Sequence, residues 1–557
     1  MMKQMIVKIL FPIFFLLLLN ACGIRKSKQD FPDLTAIKKI DTLRIRRNDS
    51  LFTIGKNSLF KNKYGIWELY VEGTPLELGM VNGSLTRELR KKQENAIFER
   101  MESIVPPGGY QNFLAKVVAW FSRKMYLHVP EEYKAEIYGI SRFSSHKYDN
   151  FAPPYLRSLY LHGAHDIGHA LQDFMLVGCT SFAAWDSKTL DGQLLLGRNF
   201  DFYAGDKFAE EKIIAFINPD QGHKFMMYTW PGMIGAVSGM NEKGITVTIN
   251  AGKTRIPLIA KTPITLVARE ILQYAENTDQ AIEIARKREV FVSEAIMVGS
   301  ASERKAILIE VSPGNIGVYD VENSNQLICS NHFQSEIYAE DKRNLKAIAE
   351  SHSVYRYKRM EELLAQNDAL TPRKAAGILR NKEGLNDAKL GLGNEKALNQ
   401  LLAHHGVIFK PEEGKVWVSA NPYQLGAFVA YDLDESFKKF EAGNANQSLS
   451  IVAETIPEDD FIHTKAYRDF KGFRVLSESL SKSISVGKKI PEEKINELIG
   501  LNPYYWKVYA LAGDYYFQQK HYKKAIIYYK QAQSKEVTTL LDERNLEKMI
   551  RKSYRKL

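Results

Sequence analysis

The sequence predicts an α+β fold, with antiparallel sheets covered by helices, a helical segment before them and an all-α region after them. Three observations carry this. Between residues 179 and 440, short β-type runs come in groups bounded by Gly, Asn and Asp, and do not alternate one by one with helices. From about residue 65 to 172, apolar residues recur at i, i+3, i+4 spacing. After about residue 448 that helical texture returns.

The first 21 residues read as a secretory signal. Lys3 and Lys8 precede an apolar run over residues 9–19, too short to span a bilayer comfortably. The run ends in Leu19-Asn20-Ala21-Cys22, which resembles the lipobox of bacterial lipoproteins. The resemblance implies acyl groups on Cys22 and a chain tethered to a membrane rather than inserted in it. The expected location is the cell envelope, on the periplasm-facing side of the outer membrane. Residues 22–55 are polar and basic and read as a linker. Residues 56–178 form a helical, propeptide-like segment, carried by "ELGMVNGSLTRELRKKQENAIFERM" and "YQNFLAKVVAWFSRKMYLHV".

At Cys179 the texture changes. "TSFAAWD", "LLLGRNFDF", "IIAFIN", "KFMMYTW", "GAVSGMN" and "ITVTINAG" read as strands, with "SKTLDGQ" and "NEKG" as hairpin turns. "ITLVAREILQYA" and "TDQAIEIARKR" read as helices, the second opened by a Thr-Asp cap. Strands return at "EAIMVGS", "KAILIEVS", "NIGVYDV" and "QLICSN". A helix, "SVYRYKRMEELLAQ", and a hairpin, "GVIFKPEEGKVWVSA", complete the set.

Within the final region, residues 450–557, Gly513, Tyr516, Ala525, Tyr529 and Ala532 stand at the spacing of small and aromatic residues in one tetratricopeptide helix pair. That resemblance implies a surface for a protein partner.

Composition narrows the class. The 557 residues are 45% hydrophobic and 25% charged, as in an ordinary globular protein rather than a disordered or membrane-spanning one. Much of the net charge of +11 is local, since residues 520–557 carry eleven Lys/Arg against four Asp/Glu. This tail reads as a solvated basic helix. No phosphate-binding loop, dinucleotide glycine pattern, zinc cysteine pair or RNA-binding aromatic motif is present, so nucleic acid is not an expected partner and no cofactor or metal is expected.

With Cys22 assigned to lipid, only Cys179 and Cys329 remain. An exported protein could join them in a disulfide; alternatively, Cys179 stays free because it reacts. A thiol with an ordinary pKa is mostly protonated at neutral pH, so a nucleophilic Cys needs a base, a cation and an oxyanion hole. No papain-type signature surrounds Cys179. A cut between Gly178 and Cys179 would supply another base, an α-amine titrating near pH 8 on the nucleophile's own residue. Arg198 and Asp201 in "GRNFDF" offer the cation and the acceptor such an N-terminus needs.

Gly-Cys-Thr followed by "DGQLLLGRNFDF" resembles the N-terminal-nucleophile (Ntn) hydrolases with a Cys nucleophile, in particular the autoproteolytic penicillin acyltransferase family and its choloylglycine hydrolase and acid ceramidase relatives. The resemblance covers about 179–432 and implies a four-layer αββα sandwich in a domain spanning 179–440. It also implies self-cleavage before Cys179 and action on carbon–nitrogen amides of small N-acylated molecules. It places Cys179 at the nucleophile, Arg198 beside the thiolate and Asp201 at the new α-amine. "GMNEKGITVTIN" places Asn250 at the oxyanion hole, "LICSNHF" places Asn331 at a second active-site Asn, and "SVYRYKR" offers Arg356 or Arg359 as a further Arg. Asn199 supports the turn. The chain departs from the pattern in Cys329, two residues before Asn331, and in its long segment before Cys179.

Two histidine groups lie outside this pattern. His162, His165 and His169 share one helical face, which reads as cap, core or surface rather than as a metal site. His404 and His405 precede a strand and read as structural. A different function class fits the same chain, namely a non-catalytic lipoprotein that binds or assembles through its helical repeat region.

Overall fold

The computed structural model describes residues 21–33, 40–104, 108–164, 166, 176–253, 259–402, 404–443 and 447–557. The signal segment before residue 21 lies outside the described residues, as do His165 and His169. No helix among the described residues is long and apolar enough to cross a membrane.

In chain order, helix α1 (Ala21–Gln29) precedes strands β1 (Ile45–Arg46), β2 (Leu51–Ile54), β3 (Asn57–Lys61) and β4 (Trp67–Gly73). Helices α2 (Pro75–Leu85), α3 (Arg87–Ile104), α4 (Gly109–Phe121), α5 (Glu131–Ser141) and α6 (Pro154–His162) follow. Then come β5 (Leu176–Val177), β6 (Thr180–Asp186), β7 (Gly192–Phe200), β8 (Phe202–Tyr203), β9 (Ile213–Pro219), β10 (Phe225–Thr229), β11 (Ser238–Asn241) and β12 (Ile245–Ala251). Helices α7 (Ile264–Tyr274) and α8 (Thr278–Lys287) lead to β13 (Glu294–Ser300), β14 (Lys305–Ser312), β15 (Asn315–Tyr319) and β16 (Gln326–Cys329). Helices α9 (Lys342–Glu350), α10 (Ser353–Gln366) and α11 (Pro372–Leu379) precede β17 (His405–Lys410), β18 (Lys415–Ser419) and β19 (Phe428–Asp432). The chain ends in α12 (Leu433–Glu441), α13 (Lys465–Ser485), α14 (Glu492–Leu501), α15 (Trp506–Gln518), α16 (Tyr522–Gln533) and α17 (Leu540–Tyr554).

The strands form one large sheet in the order β1-β2-β3-β4-β9-β10-β11-β12-β13-β14-β15 and a second in the order β16-β6-β7-β17-β18-β19. Period-2 alternation sorts their side chains into layers. In β12, β13 and β14, Val247, Ile249, Ile296, Val298, Ile307 and Ile309 pack under Val267, Ile271 and Leu272 of α7. The opposite face gives Met297 and Leu308, which meet Leu194, Leu196, Val407 and Val418 of the second sheet. The outer face of that sheet, with Phe182, Leu195 and Ile408, is covered by Met360 and Leu364 of α10 and by Ala376 and Leu379 of α11. Helix, sheet, sheet and helix are therefore stacked, as expected from the sequence. Gly192 and Gly244 take the left-handed backbone (φ +74° and +75°) that the two hairpin turns require.

The N-terminal part differs from its reading. Residues 45–73, expected to be linker and helix, form β1 to β4 and extend the large sheet, with β4 parallel to β9. The buried Glu68 interrupts the apolar pattern of β4; its carboxylate accepts hydrogen bonds from Asn62 Nδ2 at 2.9 Å and Ser448 Oγ at 2.7 Å. The cap of α8 is Asn277, whose side chain accepts from Gln280 N, and not the Thr-Asp pair after it. In the C-terminal region α15 and α16 pack so closely that a Cβ on Gly513 would lie 2.5 Å from the Tyr529 ring, which is why a small and an aromatic residue recur at that spacing.

Candidate active site

Strands β6 and β7 pair with Thr180 opposite Asn199 and Ser181 opposite Arg198. Before them, Val177 of β5 pairs with Phe202 of β8, and Gly178 N–H donates to Asp201 O at 3.1 Å. The chain thus runs extended through the Gly178–Cys179 bond, which lies against the residues linking β7 to β8. This pairing brings the cysteine motif and the Gly-Arg-Asn-Phe-Asp motif together.

Cys179 is fully buried, and its Sγ stands 3.7 Å from Arg198 Nη2. Arg198 is equally buried. Its Nη1 donates to Val237 O at 3.1 Å and Ser238 Oγ at 2.7 Å, its Nη2 donates to Ile249 O, and it lies over the Phe200 ring at 4.2 Å. A buried guanidinium is costly unless bonded in this way, so its orientation is fixed. Burial pushes the Cys179 thiol up to about 11 in the uncut chain, against the opposing pull of Arg198. Cys179 and Cys329 are both free thiols, so the disulfide alternative is not formed.

Asp201 is 2% exposed; Gln424 Nε2 reaches its Oδ1 at 3.4 Å, while its Oδ2 has no hydrogen-bond partner among the described residues. Burial raises its carboxyl to about 7, with Arg356 and Arg198 pulling the other way. Arg356, not Arg359, reaches the thiol's residue. Arg356 Nη1 donates to Cys179 O at 2.7 Å and to Thr180 Oγ1, Nη2 to Asn331 Oδ1 at 2.5 Å, and Nε to His352 Nδ1 at 3.1 Å. Arg359 instead pairs with Glu362 at 2.8 Å and Asp387 at 2.5 Å.

Asn331 is therefore a brace for Arg356, itself held by donation from its Nδ2 to Ala251 O at 2.9 Å. Asn250 is placed less directly than its assigned role requires. Its Oδ1 accepts from Ser181 Oγ at 2.9 Å, and its Nδ2 donates to Cys329 O at 3.1 Å and Ser330 O at 3.3 Å. In this uncut form the Asn250 amide is engaged by backbone carbonyls rather than held open for an oxyanion. Asn199 is a backbone support, its Nδ2 donating to Leu379 O at 2.8 Å and Leu398 O at 2.9 Å.

His162 is buried between Ser158 O, 2.8 Å from Nδ1, and the Ile234 N–H, which donates to Nε2 at 3.1 Å; burial pulls its pKa down to about 4. Among the described residues no group of His, Cys, Asp and Glu could hold a metal ion. His405 does come near the site: its Nε2 is 3.0 Å from Ser238 Oγ, which Arg198 also contacts, and its Nδ1 is 2.8 Å from His404 Nδ1.

Sequence reasoning missed Gln400 and Gln424, which touch Gly178 and Asp201. Both lie on irregular loops with no motif around them, and only the folded chain brings them near Cys179. A small, mostly apolar cavity of about 60 Å³ opens beside the same strands, lined in part by Phe202, Phe208, Trp230, Met233 and Arg90.

Residues 187–421 match a family model described as acyl-coenzyme A:6-aminopenicillanic acid acyl-transferase. An uncharacterized protein of Archaeoglobus fulgidus is 28% identical over 278 residues, covering 46% of this chain and 45% of that protein. Protein dcd1B of Dictyostelium discoideum is 24% identical over 294 residues, covering 49% of this chain and 55% of that protein. The chain thus spans about half the length of these curated relatives. Among solved structures, a Caenorhabditis elegans ortholog of N-acylethanolamine-hydrolyzing acid amidase aligns at 16% identity with a TM-score of 0.32, over 42% of this chain and 93% of that one. A mutant conjugated bile acid hydrolase of Clostridium perfringens aligns at 15% and 0.32, over 46% and 92%. The family match falls within the layered αββα part of the fold.

Proposed function

We propose that this chain is a cysteine amidohydrolase or acyltransferase that makes its own N-terminal nucleophile by cutting the bond before Cys179. The observation that carries the reading is the buried Oδ2 of Asp201, without a hydrogen-bond partner among the described residues, whose backbone oxygen already holds Gly178 N–H. An orphaned buried acceptor is costly, and an α-ammonium released at Cys179 would satisfy it. The same ammonium would offset the burial that keeps the thiol protonated in the uncut chain.

In the mature site the Cys179 thiol gives its proton to its own α-amine and the sulfur attacks the substrate's amide carbon. Arg198 favours the thiolate. The α-ammonium protonates the departing amine, and water, or an amine in the transferase mode, resolves the thioester. Asn250 takes the oxyanion role once its present hydrogen bonds rearrange. The substrates are carbon–nitrogen amides with a hydrophobic acyl group, for which the cavity beside Phe202 and Trp230 provides an apolar wall. The chain works as an exported lipoprotein anchored through Cys22 in the cell envelope.

Intact mass under denaturing conditions tests this. Wild type should give two fragments that part before Cys179, and Cys179→Ala a single chain. An uncut wild type that traps no acyl-thioester from any N-acyl amide overturns the reading.

A further inference from the structure

The carbonyl attacked in the self-cleavage has its own donor. Gln400 Nε2 donates to Gly178 O at 3.1 Å. Gln400 is 2% exposed, and the residue after it, Leu401, is held in left-handed backbone at φ +52°. A non-Gly residue is kept there only when its surroundings over-determine it, which happens most often at functional sites. The packing is tight from the other side as well. A Cβ added at residue 178 would stand 2.4 Å from Gln400 Nε2, so an alanine there would push this amide off the carbonyl. The scissile peptide is thereby fixed at three points: Gly178 N–H on Asp201 O at 3.1 Å, Gly178 O under Gln400, and Cys179 O on Arg356 Nη1 at 2.7 Å.

We propose that Gln400 is a catalytic residue of the self-cleavage, its amide N–H stabilising the oxyanion that forms on Gly178 O, and that the absence of a side chain at residue 178 lets that amide reach the carbonyl. This rests on the self-cleavage reading above. Cys179 Sγ loses its proton and bonds to the Gly178 carbonyl carbon, and the carbonyl electron pair moves onto the oxygen facing Gln400. Collapse breaks the Gly178 C–Cys179 N bond, the nitrogen takes the proton, and Gly178 is left as a thioester on Sγ. Water then adds to the thioester carbon and expels the thiol. The products are the Gly178 carboxylate and a Cys179 with free thiol and α-amine. A donor preset on the oxygen where charge develops acts without reorganisation, and loss of one such donor typically slows a reaction about 10²- to 10³-fold.

The test follows pulse-labelled full chain from cell-free translation through a chase, reading precursor and fragments on a denaturing gel. Gln400→Glu keeps the shape and removes the donor, and should slow splitting about 10²-fold. Gly178→Ala should slow it as well, and Gln400→Ala added to Gly178→Ala should cause less further loss than it does alone, because the two residues share one contact. Melting temperatures of each variant on a Cys179→Ala background report folding. A folded Gln400→Glu chain that splits at the wild-type rate overturns the assignment and leaves self-cleavage standing. Should Gln400→Glu fail to fold, Gly178→Ala decides alone, and splitting at the wild-type rate overturns the assignment. A wild type that never splits removes both the parent reading and this one.

Discussion

Arg198 Nη2 stands 3.7 Å from Cys179 Sγ where neither side chain meets solvent. In so buried a place a thiolate needs a fixed cation. Arg198→Met should lower acyl-thioester formation by about 10²-fold and shift the pH profile of that step upward. Arg198→Lys should recover only part, because one ammonium does not replace the donors now directed to Val237, Ser238 and Ile249. Single-turnover trapping across pH reads both effects, and an unmoved profile in Arg198→Met would refute the role.

Arg356 joins Cys179 O to Asn331 Oδ1. Arg356→Leu leaves the buried Cys179 O without this donor, at roughly 1–3 kcal/mol, and frees the half-buried Asn331 Oδ1 at a smaller cost. The expected result is a melting temperature several degrees lower in the Cys179→Ala chain. Asn331→Ala removes one brace and should lower it less. Equal losses would show that Asn331 does more than hold Arg356.

The strands around the site were legible because each is short, alternating and bounded by turn residues. "TSFAAWD" became β6 and "SVYRYKRMEELLAQ" became α10 at the residues read from the sequence. The early strands were not legible. β4 takes its conformation from β9, far along the chain, and Glu68 hides its apolar pattern. The placing of Arg198 and Asp201 beside Cys179 followed from one local hairpin. Gln400 and Gln424 had no such signal, since a lone Gln on a loop acquires its meaning only from the backbone it meets.

The segment before Cys179 is part of the sheet and not a removable leader. β4 pairs with β9 from Trp67 opposite Ile213 to Gly73 opposite Pro219. Leu69, Val71, Leu78 and Val81 share a core with Ile213, Ala215 and Ile217. A cut before Cys179 breaks the chain but not this contact. The two fragments should co-elute on native size exclusion and separate only in denaturant. A chain beginning at Cys179, made alone, should aggregate, because it bares the β9 edge and its apolar face. A monodisperse, folded 179–557 fragment would contradict this.

Asp201 ties stability to pH with a definite sign. Burial raises its carboxyl from 3.8 to about 7 in the uncut fold, so between those values the folded chain keeps a proton that the unfolded chain has released. Stability must then fall as pH rises through this window, the loss being absent below about pH 4 and complete above about pH 7. Asp201→Asn on a Cys179→Ala background removes that contribution. Its melting temperature should therefore decline less between pH 5 and 8 than that of Cys179→Ala alone. Glu68, Glu294 and Glu310 are also raised by burial, so part of the slope remains in both chains and the difference between the curves carries the result. Parallel curves would mean that Asp201 is already ionised in the precursor and has no charge to gain from a new α-ammonium.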